Sequence, residues 1–589
     1  MGRIFSGKHN FTTQEVVQKN GSIYVYEVES WYDQGTKNTK RKKRLKGIKN
    51  SLTGAVESTR PKRKSREDTQ VPIKATMTFN AMLAIAELMS SLSGVSKELQ
   101  DALPNEPGTI GKILTLSWYS FLNDGVNWTG VENWTRRYLN LLPYNFQPIT
   151  ESIYQDLFKD IGRRTSIKWS IFRQRASKMR DGELLALDST LYPCGVEDVV
   201  DAEVVRQKDG TYKAGYKVLY IYSVTSAQLV AYVKMSGKIP DVSTILYALD
   251  QLKALKLNKS EIVVDNGYFS RNNIGELLHA KQHFLMRVKA SDKLVKDIVE
   301  KNLPTLISGN HPAERIPFAP EYRGICETIT EAFPYKRKKG SKAKGLKAGD
   351  FEYIDATLKV FVYYSSKQKG LADYEYSKQY TEVEHDLLEG VFMDDAAKKF
   401  ASKYMEIEEE NGEVISVKER KGQRDKDHKY HGLLVLIADK EANISSALKK
   451  YRLREKNEEA IKGHKSHSGG DTSKTGGDTF VEGELLVEFL ANSLRHSFST
   501  RVKNVESQLG KKNGDINHDT YDNLKVERSL LNLLRKVSFV NVIQSYKTTI
   551  IERLDDTDGY HYILKSPSTL MKIMFLQLIG VKIKQAKTT

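Results

Sequence analysis

Two short apolar runs, each leading into an aspartate, set the frame for this chain. Leu184-Leu-Ala-Leu187 runs into Asp188, and Glu261-Ile-Val-Val264 runs into Asp265. Both have the length and aliphatic make-up of buried strands. Val218 to Val224 and Gln228 to Met235 read as two further strands between them. Ile245, Leu249 and Leu252 then recur at helical spacing between Asp241 and Lys256. After Asp265 come a helix from Ser270 to Ala280 and a strand from Phe284 to Val288. Three sequential strands followed by helical crossovers predict an α/β fold built on a mixed sheet. Ligands of open α/β sheets bind outside the carboxyl ends of strands. Two aspartates there supply hard oxygen donors suited to Mg²⁺ beside a phosphate. Each Asp alone has a plainer reading as a turn cap.

The rest of the 589 residues is too long for one core, and the length implies roughly three or four domains. Residues 1–70 read as a basic β-hairpin arm: a β-prone run from Ile23 to Trp31, the cluster Lys37-Asn-Thr-Lys-Arg-Lys-Lys-Arg44, a return through Ile48, and a second cluster from Arg60 to Arg66. Residues 71–180 read as a helical DNA-binding domain. Met82, Leu83, Ile85, Leu88 and Leu92 recur at helix spacing there, as do Ile113, Leu114, Trp118 and Leu122. Four tryptophans in this region (Trp118, Trp128, Trp134, Trp169) are expected to pack in its core. Residues 181–290 and 430–480 carry the sheet pattern, resumed at Gly432 to Ala438 and followed by a helix from Ser445. The 291–429 segment reads as a β-rich insertion, with a strand at Lys359 to Tyr364 and an acidic helical stretch at Met405 to Glu410. Residues 481–589 read as a helical C-terminal region, with a helix stop at Gly580.

Lys and Arg outnumber Asp and Glu by 92 to 74, giving a net charge of +18 and a pI near 9.3. This excess suits a polyanion such as DNA, although charge alone also fits a basic protein with no special partner. Cys194 and Cys326 form no C-x-x-C pair, which argues against a zinc knuckle or disulfide framework. No apolar stretch reaches membrane-spanning length and no signal-peptide pattern opens the chain, so a cytoplasmic protein without membrane contact is expected. No phosphate-binding loop of the G-x-x-x-x-G-K-[ST] type is present, so no nucleotide cofactor is expected.

The third acid comes from the helix after the second sheet block. At about 100° per residue, Tyr451, Arg454, Glu458 and Lys465 fall within roughly 60° of one another. One face thus carries a phenol, a guanidinium, a carboxylate and an ammonium. Such a face can complete a metal site and hold phosphates, or it can be a solvated face laced with i,i+4 ion pairs. Asp427-His428-x-x-His431 is a weaker metal motif, expected to be exposed in a polar loop, and His464 and His467 share that expectation.

Tyr-x₂-Arg-x₃-Glu-x₆-Lys resembles the Y-R-E-K signature of bacterial insertion-sequence DDE transposases of the fourth (IS-four) superfamily. Asp265-Asn-Gly-Tyr-Phe-Ser270 resembles that family's second-Asp motif, and Leu185-Ala-Leu-Asp188-Ser-Thr190 its first. The resemblance covers about 180 to 500. It implies a ribonuclease-H-like catalytic domain with a β-rich insertion between the second Asp and the Glu. It also implies a transposase that cleaves the ends of an insertion sequence and joins them to target DNA. The expected machinery is Asp188, Asp265 and Glu458 holding two Mg²⁺ ions, with Mn²⁺ as a substitute. Tyr451, Arg454 and Lys465 are expected to contact double-stranded DNA, both element ends and target, in a homodimeric complex of a nucleoid-associated enzyme. The chain departs from the family in the run Glu459-Ala-Ile-Lys-Gly-His464, where aromatics are usual, and it has no Trp after Trp169 to stack a flipped base. Two alternatives stay open: a domesticated, inactive transposase that only binds DNA, and a ribonuclease-H-like nuclease without strand transfer.

Overall fold

The computed structural model describes residues 10–18, 22–33, 37–50, 54–57, 76–123, 128–195, 199–206, 211–336, 349–391, 393–410, 413–441, 443–454, 477–511, 521–556, 559–566 and 568–584. The chain forms two compact units, residues 1–76 with 554–559, and residues 77–553 with 560–589. In the first unit, β1 (Asn10–Val17), β2 (Ile23–Asp33), β3 (Asn38–Lys49) and β4 (Val56–Glu57) form an antiparallel sheet in that order. Register sets Glu27 opposite Arg44 and Glu29 opposite Lys42, so one side of the hairpin pairs opposite charges across strands. On the other side Arg41 and Lys43 stand opposite Ser30 and Val28, with no acid across from them. The second basic cluster, Arg60 to Arg66, lies outside the described residues.

The second unit opens with β5 (Thr76–Asn80) and helices α1 (Ala81–Leu92), α2 (Val95–Ala102), α3 (Pro107–Leu122), α4 (Val131–Tyr138), α5 (Glu151–Arg163) and α6 (Thr165–Ser177). Asn80 caps α1 by accepting from the Met82 amide at 2.9 Å, and Pro107 starts α3 where its missing N–H costs nothing. Trp118 and Trp128 are buried, and each indole N–H has a partner, Ser90 Oγ and Glu484 Oε1, both at 2.7 Å.

The sheet that follows is ten-stranded. Its first part comprises β6 (Leu184–Pro193), β7 (Glu203–Arg206), β8 (Tyr212–Ser223) and β9 (Gln228–Ser236), then α7 (Thr244–Ala254), β10 (Glu261–Val264), α8 (Arg271–His279) and β11 (His283–Val288). Strands β6, β8 and β9 make the antiparallel meander, while β10 lies parallel to both β6 and β11, as crossovers through α7 and α8 require. One expectation is corrected here. Strand β6 does not end at Asp188 but runs to Pro193, because β8 pairs with it through Gly215.

Helix α9 (Lys296–Ser308) leads to β12 (Glu314–Ile316), β13 (Ala319–Lys336) and β14 (Phe351–Tyr364). These strands extend the same sheet in the order β12-β13-β14-β17-β11-β10-β6-β8-β7, where β17 is Leu433–Ala438. Between β14 and β17 lie α10 (Ser366–Leu388), α11 (Asp395–Tyr404), the hairpin β15 (Met405–Glu410) and β16 (Glu413–Glu419), and α12 (Gln423–His428). This part has its own small core of Tyr376, Val383, Phe400, Ala401 and Met405. The inserted segment is therefore less purely β than expected. Met405 to Glu410, expected as helix, is a strand, because Ile407 pairs with Val417 and Glu408 meets Lys418 at 2.8 Å across the hairpin.

Residues 444–454 form α13, followed by α14 (Gly477–Lys511), α15 (Tyr521–Lys536), α16 (Phe539–Gln544), β18 (Ile550–Asp556), β19 (Gly559–Leu564), α17 (Leu570–Ile579) and β20 (Ile583–Lys584). The C-terminal region is thus not wholly helical. The β-branched and aromatic runs Ile550-Ile551 and Tyr560-His-Tyr-Ile563 form strands, and β19 pairs with β20 in parallel. Gly580 takes φ +105° and closes α17 as expected.

The helices and the sheet share one continuous core. Two features fasten them. Helices α5 and α14 cross with backbones in contact, so that a Cβ on Gly162 would lie 1.8 Å from Thr479 O, and one on Gly483 2.0 Å from Phe158 O. The second is Arg175 of α6, which is fully buried. It donates to Glu98 of α2 at 2.8 and 2.9 Å, to Leu229 O of β9 at 2.7 Å and to Ser493 Oγ of α14 at 2.9 Å.

Candidate active site

Strand register brings the two aspartates together. Ala186 of β6 partners Val263 of β10, and each aspartate stands two residues further along its strand. In a parallel pair this puts Asp188 and Asp265 at one level on one face, about 4.8 Å apart by strand spacing. Val264 likewise partners Met286 of β11, so Arg287 is next in the same row, and its Nη1 lies 3.6 Å from Asp265 Oδ1. On the far side Tyr220 of β8 partners Asp188. Its phenol is buried and bonded to Tyr192 at 2.8 Å, and burial with the neighbouring Glu488 and Asp188 charges pushes its pKa up.

The motif Asp265-Asn-Gly-Tyr-Phe-Ser270 has a local physical sense. Asp265 directly follows β10, accepts from the Asn266 amide at 2.7 Å and starts a single 3-10 turn. Ser270 then caps α8 by accepting from Asn273 N at 3.0 Å. Tyr268, between them, is buried, and burial followed by the Asp188 charge raises its pKa. The turn thus fixes the second carboxylate at the strand end and leads into α8.

Helix α13 lies over this row. Tyr363 donates to Ile444 O at 2.7 Å, Lys450 pairs with Glu261 at 2.7 Å, and Arg452 pairs with Glu321 at 2.6 Å. So held, α13 buries Tyr451 completely and aims its hydroxyl at Asp265 Oδ1, 3.1 Å away. Burial pushes the Tyr451 pKa up to about 12, keeping it a proton donor. Arg454, 4% exposed, lies one turn on, with its guanidinium 5.1 Å from the Tyr451 ring and Nη2 3.4 Å from the hydroxyl. The structure therefore gathers Asp188, Asp265, Tyr451 and Arg454. Glu458 and Lys465, like His464 and His467, lie outside the described residues.

Residues 180–491, just over half of the chain, match the family of transposase DDE domains. The chain belongs to this family. The matched span of the transposase takes in β6 to β17, α13 and the first part of α14, and so every residue placed above. A cryo-EM structure of piggyBac transposase in a synaptic complex with hairpin DNA is similar to the chain at a TM-score of 0.34 and 10% identity, covering 81% of this chain and 87% of that one. No curated protein matches.

The donor set of the transposase suits a divalent cation. Asp188 and Asp265 offer only oxygens, neither is fully buried, and both stand on one face of adjoining strands. Sequence reasoning missed Arg287, whose signal was a charge inside the apolar run Phe284-Leu-Met-Arg-Val288. It also missed Asp241, which accepts from Ser189 Oγ at 2.6 Å and pairs with Lys217 at 2.8 Å beside the first aspartate. No sequence signal separates Asp241 from an ordinary helix-start acid.

Tyr451→Phe tests the positioning of Asp265. Loss of one hydrogen bond to a carboxylate, roughly 1.5–3 kcal/mol, should slow DNA cleavage about ten- to hundredfold. DNA binding should be unchanged, and, on a reading in which Asp265 holds Mg²⁺, half-maximal activity should need more of it. A slower rate with the same Mg²⁺ dependence would argue against a role through Asp265.

Proposed function

We propose that the protein is a DNA transposase of the IS-four type, which cleaves the ends of an insertion sequence and joins them to target DNA. The observation that carries this reading is the row Asp188–Asp265 on adjoining parallel strands, with Tyr451 of the Tyr-x₂-Arg face bonded to the second acid. The strand order, a meander followed by two parallel strands, supports a ribonuclease-H-like catalytic domain. Asp188, Asp265 and, by its spacing in the Tyr-x₂-Arg-x₃-Glu sequence motif, Glu458 would hold two Mg²⁺ ions or Mn²⁺. Bound there, the ions supply Lewis-acid activation of the attacking hydroxyl and charge stabilisation at the leaving oxygen.

The residues of this chain do the rest. Tyr451 and the Asn266 amide fix the Asp265 carboxylate, and Arg287 offsets the charge of the paired acids. Arg454 and Lys465 are the cations proposed to hold phosphates of the transferred end. The net charge of +18 and the basic strand β3 favour contacts with double-stranded DNA. Cutting two ends together calls for a homodimer on DNA. Among the described residues no helix is long and apolar enough to cross a membrane.

The test is cleavage of a plasmid carrying the DNA that flanks the gene, with Mg²⁺, by the wild type and by Glu458→Gln. Cuts at defined ends by the wild type alone are expected. Specific binding with no cutting by either protein would replace the enzyme by a DNA-binding relic. Cutting by both would remove Glu458 from the site.

A further inference from the structure

The inserted segment holds a second group of ligating side chains, remote in sequence from Asp188 and Asp265. One ligand atom each from Asp373, His428 and His431 lie within 4.8 Å of one another. His431 Nδ1 is 2.7 Å and His428 Nδ1 3.2 Å from the same oxygen, Asp373 Oδ1, and the two rings are stacked with centroids 4.3 Å apart. The expectation of exposed histidines in a polar loop is thus overturned, since their side chains are only 12% and 23% exposed. Asp427, the acid suggested by the sequence, faces away to Lys403 at 2.9 Å and Gln423 at 3.0 Å.

We infer that Asp373, His428 and His431 form a binding site for a zinc-class ion, which ties α12 and the turn after it to α10. Two imidazoles and one carboxylate are a borderline-soft donor set, favouring Zn²⁺ or Co²⁺ over Mg²⁺. Tetrahedral bonds of ~2.0–2.1 Å set ligand atoms about 3.3 Å apart. The 3.2 Å separation already fits, and the 2.7 Å one has to open by a small ring rotation. Three protein ligands leave the fourth position for water. The surroundings orient the donors. Lys369 occupies the other oxygen, Asp373 Oδ2, at 2.7 Å and so turns Oδ1 to the histidines. Tyr376, one turn along α10, meets the His428 ring edge-on at 4.5 Å and donates to Glu419 at 3.0 Å, and the Arg424 guanidinium lies 5.5 Å from its ring centroid. His428 Nε2 is buried with no hydrogen-bond partner, so either ring nitrogen can serve the ion by a ring flip.

The buried core of this part is small, so a metal tie between α10 and α12 would add to what holds them together. Cys194 and Cys326, the two cysteines of the chain, lie on or beside strands of the main sheet and offer no staple for this part.

The test uses the full chain with any purification tag removed, stripped with chelator and then offered Zn²⁺ or Co²⁺ in excess Mg²⁺. The wild type and Asp265→Asn are expected to retain one Zn²⁺ per chain after dialysis and to melt at higher temperature when loaded. His428→Ala/His431→Ala should retain none at this site and show no zinc-dependent shift. Zinc retained equally by that double variant, or none retained by the wild type, would overturn the site. Should the double variant fail to fold, visible absorption of the wild-type Co²⁺ form decides. Intense tetrahedral bands lost in the single variant His431→Asn support the site, and their absence from the wild type refutes it.

Discussion

Asp265→Asn should bind element-end DNA as the wild type does and yet lose cleavage by about 10³-fold or more, and Asp188→Asn should match it. The magnitude follows from the metal-holding role proposed for these acids, since a lost ligand would remove several kcal/mol of transition-state stabilisation at about 1.4 kcal/mol per tenfold. The fold should be unharmed. Asparagine keeps an oxygen to accept from the Asn266 amide and the Tyr451 hydroxyl, the two bonds that seat residue 265. The substitution removes charge alone, in a row where Arg287 already offsets part of it. Gel-shift titration and single-turnover cleavage of the same DNA separate the two effects. Near-normal cutting by either variant would take the catalytic role from the row.

Glu98→Ala should produce the largest loss of stability. Glu98 and Arg175 are both wholly buried, and deleting the acid leaves a guanidinium without its counter-charge. Breaking such a pair costs about 3–5 kcal/mol. Arg175 also holds Leu229 O and Ser493 Oγ, so the charge cannot swing into solvent without breaking those bonds. Denaturant unfolding should show the midpoint falling sharply. Replacing the pair together, as Glu98→Met with Arg175→Met, should recover part of the loss. A single variant within 1 kcal/mol of wild type, roughly the worth of a surface pair, would show that the clamp is not integral.

The parts of the fold legible from sequence were those decided locally. Four-residue aliphatic runs closed by an acid fixed β10, and the helices between the strands followed their apolar period. What local pattern could not give was strand length and partner choice. Pairing with β8 carries β6 past Asp188 to Pro193, and pairing with β16 turns the acidic run after Met405 into a strand. The site divides the same way. Tyr451 and Arg454 were visible as one helix face, but the bond from Tyr451 to Asp265 joins residues 186 positions apart. Arg287 and Asp241 belong to the site through register and a loop contact. His428 and His431 were visible as a pair, whereas their acid, Asp373, lies on another helix.

The position of β17 bears on how the chain reaches its working form. This strand sits between β14 and β11, antiparallel to both, yet it is the last of the ten to be synthesised. Until Leu433 to Ala438 emerge, β11 and β14 present unsatisfied edges, and α13, which follows directly, has nothing to lie on. Tyr451 therefore meets Asp265 only after some three-quarters of the 589 residues have been made. Closing so distant a pairing is slow and leaves sticky edges open meanwhile. A nascent chain that stops short of β17 has therefore not brought Tyr451 to Asp265, and the row Asp188–Asp265 has no helix over it.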